Sequence, residues 1–106
     1  MALPLGGPVG PLDASSYLGF RITTTGNGRV YSVHLRTTDT RLPWQYYQAS
    51  FPTADGWREI DVPFTAFHGQ NLRAPLDSGR LERLAIAAAR WAGAADVAIA
   101  RITLYR

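Results

Sequence analysis

The stretch "GRVYSVHLRTTDTRLPWQYYQASF", Gly28–Phe51, decides the fold. It holds two segments in which apolar residues recur at every second position, the period of a half-buried strand. In the first, Tyr31, Val33 and Leu35 fall on one side and Ser32, His34 and Arg36 on the other. In the second, Tyr47, Ala49 and Phe51 alternate with Tyr46, Gln48 and Ser50. Paired as strands, they place His34, Arg36, Tyr46 and Gln48 on one sheet face. That face is either a binding surface or the wet side of a one-sided antiparallel sheet. Trp44, Tyr46 and Tyr47 lie within four positions and cannot all be buried in an alternating strand. At least one is expected at the surface, and an exposed aromatic beside an arginine favours an interface. The candidate ligand- or partner-binding residues are therefore Arg36, Trp44, Tyr46, Gln48 and His34.

The same period continues outward. Residues 17–24 read as a strand with Leu18, Phe20 and Ile22 on one face. Gly26-Asn27-Gly28 reads as a hairpin turn, because Gly and Asn accept positive φ cheaply. Residues 29–37, 44–51 and 57–63 are further strands, the last with Ile60 and Val62 inward. Phe64 to Phe67 is a short helical turn, and residues 68–78 form a loop. Residues 81–91 are ambiguous: Leu81, Leu84, Ala85 and Ala88 fit helical spacing, whereas Leu84, Ile86 and Ala88 fit a strand. Residues 97–105 are a strand whose apolar parity shifts between Ile99 and Ile102, the mark of a β-bulge near Ala100-Arg101. Trp57 and Trp91 are assigned to covering the two ends of the core. Short strands separated by turns at this spacing indicate an all-β, antiparallel β-sandwich. With 106 residues the chain makes one domain, 12–106, preceded by an extended Pro/Gly-rich segment, 1–11.

Composition narrows the function. A hydrophobic content of 46% with 18% charge belongs to a folded chain and excludes a disordered one. The net charge of +3 comes entirely from arginine, with no lysine. The arginines are spread from Arg21 to Arg106 without a dense run, which argues against nucleic acid as a partner. The absence of cysteine excludes disulfides, thiolate catalysis and Cys-ligated metals. The N-terminus "MALPLGGPVGPLD" lacks the positive charge and unbroken apolar run of a signal peptide. No apolar run reaches the roughly 18 residues that span a bilayer, so a soluble chain with no recognisable address is expected.

Catalytic constellations are missing. His34 and His68 stand apart, with no nucleophile elbow near either. Asp39, Asp55, Glu59, Asp61 and Asp77 read as solvated charges rather than a paired acid and base. Two isolated histidines do not make a zinc site, and no loop has the EF-hand pattern. Asp13 and Asp39 are conceivable calcium ligands that nothing in the sequence specifies. Gly26-Asn27-Gly28 lacks the third glycine and following helix of a dinucleotide fingerprint. The expectation is no catalytic residue, no metal and no cofactor.

Three segments carry a resemblance: "LDASSYLGFRITTTGNGRVYSVHLRTTD" (Leu12–Asp39), "YYQASFPTADGWREIDVPFTAF" (Tyr46–Phe67) and "LDSGRLERLAIAAA" (Leu76–Ala89). They resemble the complex I intermediate-associated protein family in the Gly26–Tyr31 strand entry, Tyr47–Phe51, and Gly56-Trp57 followed by Val62-Pro63-Phe64 and Phe67. The resemblance implies a galactose-binding-like jelly roll. It also implies a strand rather than a helix over 81–89. A further N-terminal stretch usual in the family is not matched, so the expectation is a jelly roll lacking its first strand or strands. Either a second copy, giving a homodimer, or residues 1–11 would then cover the open edge. The implied function is non-enzymatic assembly of NADH:ubiquinone oxidoreductase, with an assembly intermediate as protein partner. The implied compartment is the bacterial cytoplasm or a mitochondrial-matrix-like space. Carbohydrate binding by the Arg36/Tyr46/Gln48 face is the alternative, since sugar-binding sandwiches stack aromatic planes on sugars and bind hydroxyls with Arg and Gln.

Overall fold

Tyr31 lies opposite Phe51, Val33 opposite Ala49 and Leu35 opposite Tyr47 where two antiparallel strands pair, as the alternation requires. The computed structural model describes residues 2–7, 10–88 and 97–106. Its strands are β1 (Ala2–Pro4), β2 (Gly19–Gly26), β3 (Val30–Thr37), β4 (Tyr46–Pro52), β5 (Arg58–Pro63), β6 (His68–Gln70), β7 (Leu81–Ala88) and β8 (Val97–Tyr105). A single 3₁₀ turn, Phe64–Ala66, follows β5. The strands form a five-stranded sheet, ordered β1-β7-β3-β4-β6, and a three-stranded sheet, ordered β5-β2-β8. Every pairing is antiparallel.

The two sheets bury their apolar faces against each other. Phe20, Ile22 and Val62 come from the smaller sheet; Tyr31, Val33, Leu35, Tyr47, Phe51, Leu81 and Leu84 come from the larger. The fold is thus an antiparallel β-sandwich. One row runs across the whole larger sheet: Leu3 of β1, Leu84 of β7, Leu35 of β3, Tyr47 of β4 and Gly69 of β6 are successive cross-strand partners. Such neighbours are the unit of sheet stabilisation, because their side chains meet on one face.

Several local expectations hold. Gly28 takes φ +82° in the turn joining β2 to β3, although this turn is not the expected hairpin, because it passes from the smaller sheet to the larger. Between β2 and β8, Thr23 pairs with Arg101 and Thr24 with Ile99, which skips Ala100 and makes the expected bulge. Residues 81–88 are strand, not helix, and pair with β3 on one side and β1 on the other. The remainder of that segment, including Trp91, lies outside the described residues.

Others do not hold. Leu18 precedes β2 and is exposed, so it does not share the inward face of Phe20 and Ile22. Trp57 is exposed by 58% and does not cover the core end; it lies just before β5 begins at Arg58. The polar run 68–78 is not loop throughout, because His68–Gln70 pairs with β4. The described part of residues 1–11, expected to be extended and one of the two candidates to cover an open edge, does not depart from that reading: Ala2–Pro4 is hydrogen-bonded along the edge of β7, continued by the Leu5 N–H donating to the Glu82 carbonyl at 2.9 Å. Proline is tolerated there because an edge strand faces solvent on one side.

Gly19 is fixed by close approach. A β-carbon there would strike the Val62 carbonyl oxygen and Pro63 Cα, both backbone atoms of β5. Backbone cannot rotate aside as a side chain can. Gly19→Ala is therefore expected to destabilise the sandwich by about 1–3 kcal/mol. Urea unfolding checks this, and an unchanged midpoint would mean that β2 and β5 separate freely.

Candidate functional site

Register, not chance, brings the sequence-derived residues together. On the outward face of the larger sheet His34 lies opposite Gln48 and Ala85, and Gln48 lies opposite His68. Arg36 lies opposite Arg83, and Tyr46 opposite Gln70. The His34 and Tyr46 rings stack, 4.4 Å between centroids and 24° apart. Both are half-buried, as is Gln48. Four of the five predicted residues thus share one face, and Trp44 stands in the loop beside it, 58% exposed. Of the three neighbouring aromatics Tyr47 is buried and Trp44 exposed, as the alternation demanded.

Arg36 is engaged within the chain itself. Its two terminal nitrogens donate to four carbonyl oxygens: Thr40 at 2.9 Å, Leu42 at 3.2 Å, Pro43 at 3.1 Å and Gln45 at 2.9 Å. A guanidinium so engaged holds the loop rather than a ligand. The planar fork suits this, since its donors fan out in fixed directions.

Two residues that sequence reasoning missed complete the support. Gln45 Oε1 accepts from the N–H groups of Arg41 and Leu42, both at 3.1 Å, and Gln45 Nε2 donates to the Asn71 carbonyl at 3.1 Å. Asn71 Nδ2 donates to the Trp44 carbonyl at 3.0 Å. Asn71 sits at φ +62°, a conformation that Asn tolerates better than most residues. Loop 40–45 is therefore pinned from three sides while Leu42 and Trp44 remain exposed. The only sequence signals for this are Pro43 and Gln45 in one loop and Asn71 in another, 26 residues beyond Gln45, and such residues are common in loops.

Loop and sheet together enclose an open concavity of about 610 Å³. Arg41 and Pro43 of the loop, His34 and Arg36 of β3, Tyr46 of β4, and Arg83 and Ala85 of β7 line it. Neither those residues nor the paired outward residues named above include a carboxylate. Asp39 lies elsewhere: with Asp77 it acts on the buried Tyr47 hydroxyl, whose pKa is pushed up first by burial and then by these two charges. Among the described residues no three His, Asp or Glu side chains gather as metal ligands.

Burial pushes the His34 imidazole below its ordinary pKa of 6.5. As pH falls, the unfolded chain takes up that proton first. The contribution of His34 to stability is therefore complete above pH 6.5 and is lost as pH falls through the lower folded value. His34→Phe keeps an aromatic ring against Tyr46 and removes the titration. Its melting temperature is expected to decline less between pH 7 and pH 5 than that of the parent. Equal declines would assign the pH dependence to other groups.

The model of the complex I intermediate-associated protein 30 family matches residues 7–96. The chain belongs to this family. The match runs from the residues just after β1 through all of β7, so it includes the stacked pair and loop 40–45. Membership links the chain to complex I assembly. No curated protein and no solved structure matches the chain significantly. Among the described residues no helix is long and apolar enough to cross a membrane.

Proposed function

We propose that this family member is a non-enzymatic docking module in complex I biogenesis, holding a partly assembled subunit through loop 40–45 and the adjoining His34–Tyr46–Gln48 face. The observation that carries the reading is a pair of large apolar side chains, Leu42 and Trp44, displayed on a loop whose backbone is already tied down. An exposed tryptophan would normally be withdrawn from water. Presented on a preorganised loop, it makes an anchor that loses little entropy on binding. The compartment would be that of complex I assembly, the bacterial cytoplasm or the mitochondrial matrix.

The sugar reading has less support. His34 covers one face of the Tyr46 ring, and the Arg36 donors are turned to carbonyls. Those are the groups that would have stacked on a sugar and bound its hydroxyls.

The test is genetic. In cells lacking this chain, native gels are expected to show complex I subassemblies in place of the holocomplex. The parent chain should restore the holocomplex and Trp44→Ala should not, although the variant folds. Normal complex I levels without the chain would overturn the proposal.

A further inference from the structure

We infer that the concavity between loop 40–45 and β7 takes an acidic segment of the protein partner, its carboxylates paired by Arg41 and Arg83. This rests on the docking reading above and specifies what that surface recognises.

The argument starts from which cations are available. Of the three arginines lining the concavity, Arg36 is committed to four loop carbonyls. Arg41 and Arg83 are exposed, and neither guanidinium has a hydrogen-bond or ion-pair partner among the described residues. Both line the concavity, one on the pinned loop and one on β7. Among the described residues no carboxylate lines the site to neutralise them. Elsewhere the chain does pair exposed arginines: Arg21 with Asp61 at 2.7 Å and Arg80 with Asp77 at 3.6 Å. Two unpaired guanidiniums facing one hollow present forked donors suited to carboxylates.

The number of charges and the shape of the floor select the class of partner. Duplex nucleic acid would need on the order of 6–10 phosphate contacts for strong binding, and a membrane surface about 4–8 clustered cations. Two free guanidiniums beside an imidazole whose protonation burial disfavours fall short of both. Single-stranded nucleic acid stacks its bases on free aromatic faces, and His34 already lies on one face of Tyr46. A peptide needs less charge and gains from the apolar surfaces of Pro43 and Ala85, which line the concavity, and of Trp44, exposed next to Pro43 in the chain.

The test uses isotope-labelled full-length chain titrated at low salt with three probes: hexaglutamate, the single strand dT12, and vesicles containing one third phosphatidylserine. Hexaglutamate is expected to move the arginine side-chain and amide resonances of Arg41 and Arg83 in a saturable way, with little change at Arg21 or Arg80. Arg41→Gln/Arg83→Gln should weaken that binding about tenfold or more, and added salt should weaken the parent's binding further. The double variant must keep the parent melting temperature, since neither side chain holds the fold. Tighter binding of dT12 or of the vesicles would overturn the inference, as would shifts spread evenly over all arginines or none with hexaglutamate. Failure here leaves the docking reading standing if Trp44→Ala still blocks complex I assembly. Normal assembly in cells without the chain removes that reading whatever hexaglutamate does.

Discussion

Arg36→Met is expected to destabilise the chain by about 2–4 kcal/mol, because four carbonyl oxygens lose a charged donor at once. Two of those bonds, to Thr40 and Gln45, are partly buried. Their acceptors would keep part of the desolvation penalty with nothing to offset it. For a domain of this size the melting temperature should fall by about 10 °C or more. The effect should also be local. Amide hydrogens of residues 40–45 should exchange faster in the variant, while those of β2 and β8 shift only with global stability. Arg36→Lys should recover less than half of the loss, since one ammonium cannot fan out to four acceptors. A variant as stable as the parent, with a protected loop, would show that Gln45 and Asn71 suffice.

Leu84→Ala should cost about 2–5 kcal/mol, the range for emptying a buried leucine site. Leu84 is fully buried and stands second in the row Leu3, Leu84, Leu35, Tyr47. Its loss leaves a void between β1 and β3. The three residues of β1 have little else to hold them, so this edge strand should loosen first. Chemical denaturation gives the total cost, and exchange at Leu3 and Leu5 reports the edge. A loss under 1 kcal/mol would mean that neighbours collapse into the space.

Most of the sandwich was legible because its signals are local. Alternation marked β3 and β4, the glycines and asparagine at 26–28 marked the turn between β2 and β3, and a parity break marked the bulge at Ala100; that this turn passes from one sheet to the other was not legible. The segment 81–88 was not legible from its own residues. Alanine suits helix and strand patterns alike, and what makes it a strand is pairing with β3 and β1, contacts remote in sequence. β1 and β6 were missed for a related reason. Each has three residues, too few for alternation, and each takes its place from a partner strand. At the site the pattern placed His34, Arg36, Tyr46 and Gln48 on one face correctly, because register follows from period. It could not say what Arg36 donates to. Backbone carbonyls carry no sequence signature, so a guanidinium holding a loop and one awaiting a ligand read alike.

On the proposed docking role, the pinning of loop 40–45 also bears on how fast a partner would be captured. A loop already in its final shape requires no conformational search after collision. Association should then follow a single rate proportional to partner concentration, with no slow phase, and be set by orientation and by attraction to the arginines. The lifetime of the complex would rest on how long Trp44 stays covered. Rigidity in the free chain would thus appear as speed of capture, and the covered tryptophan as residence time.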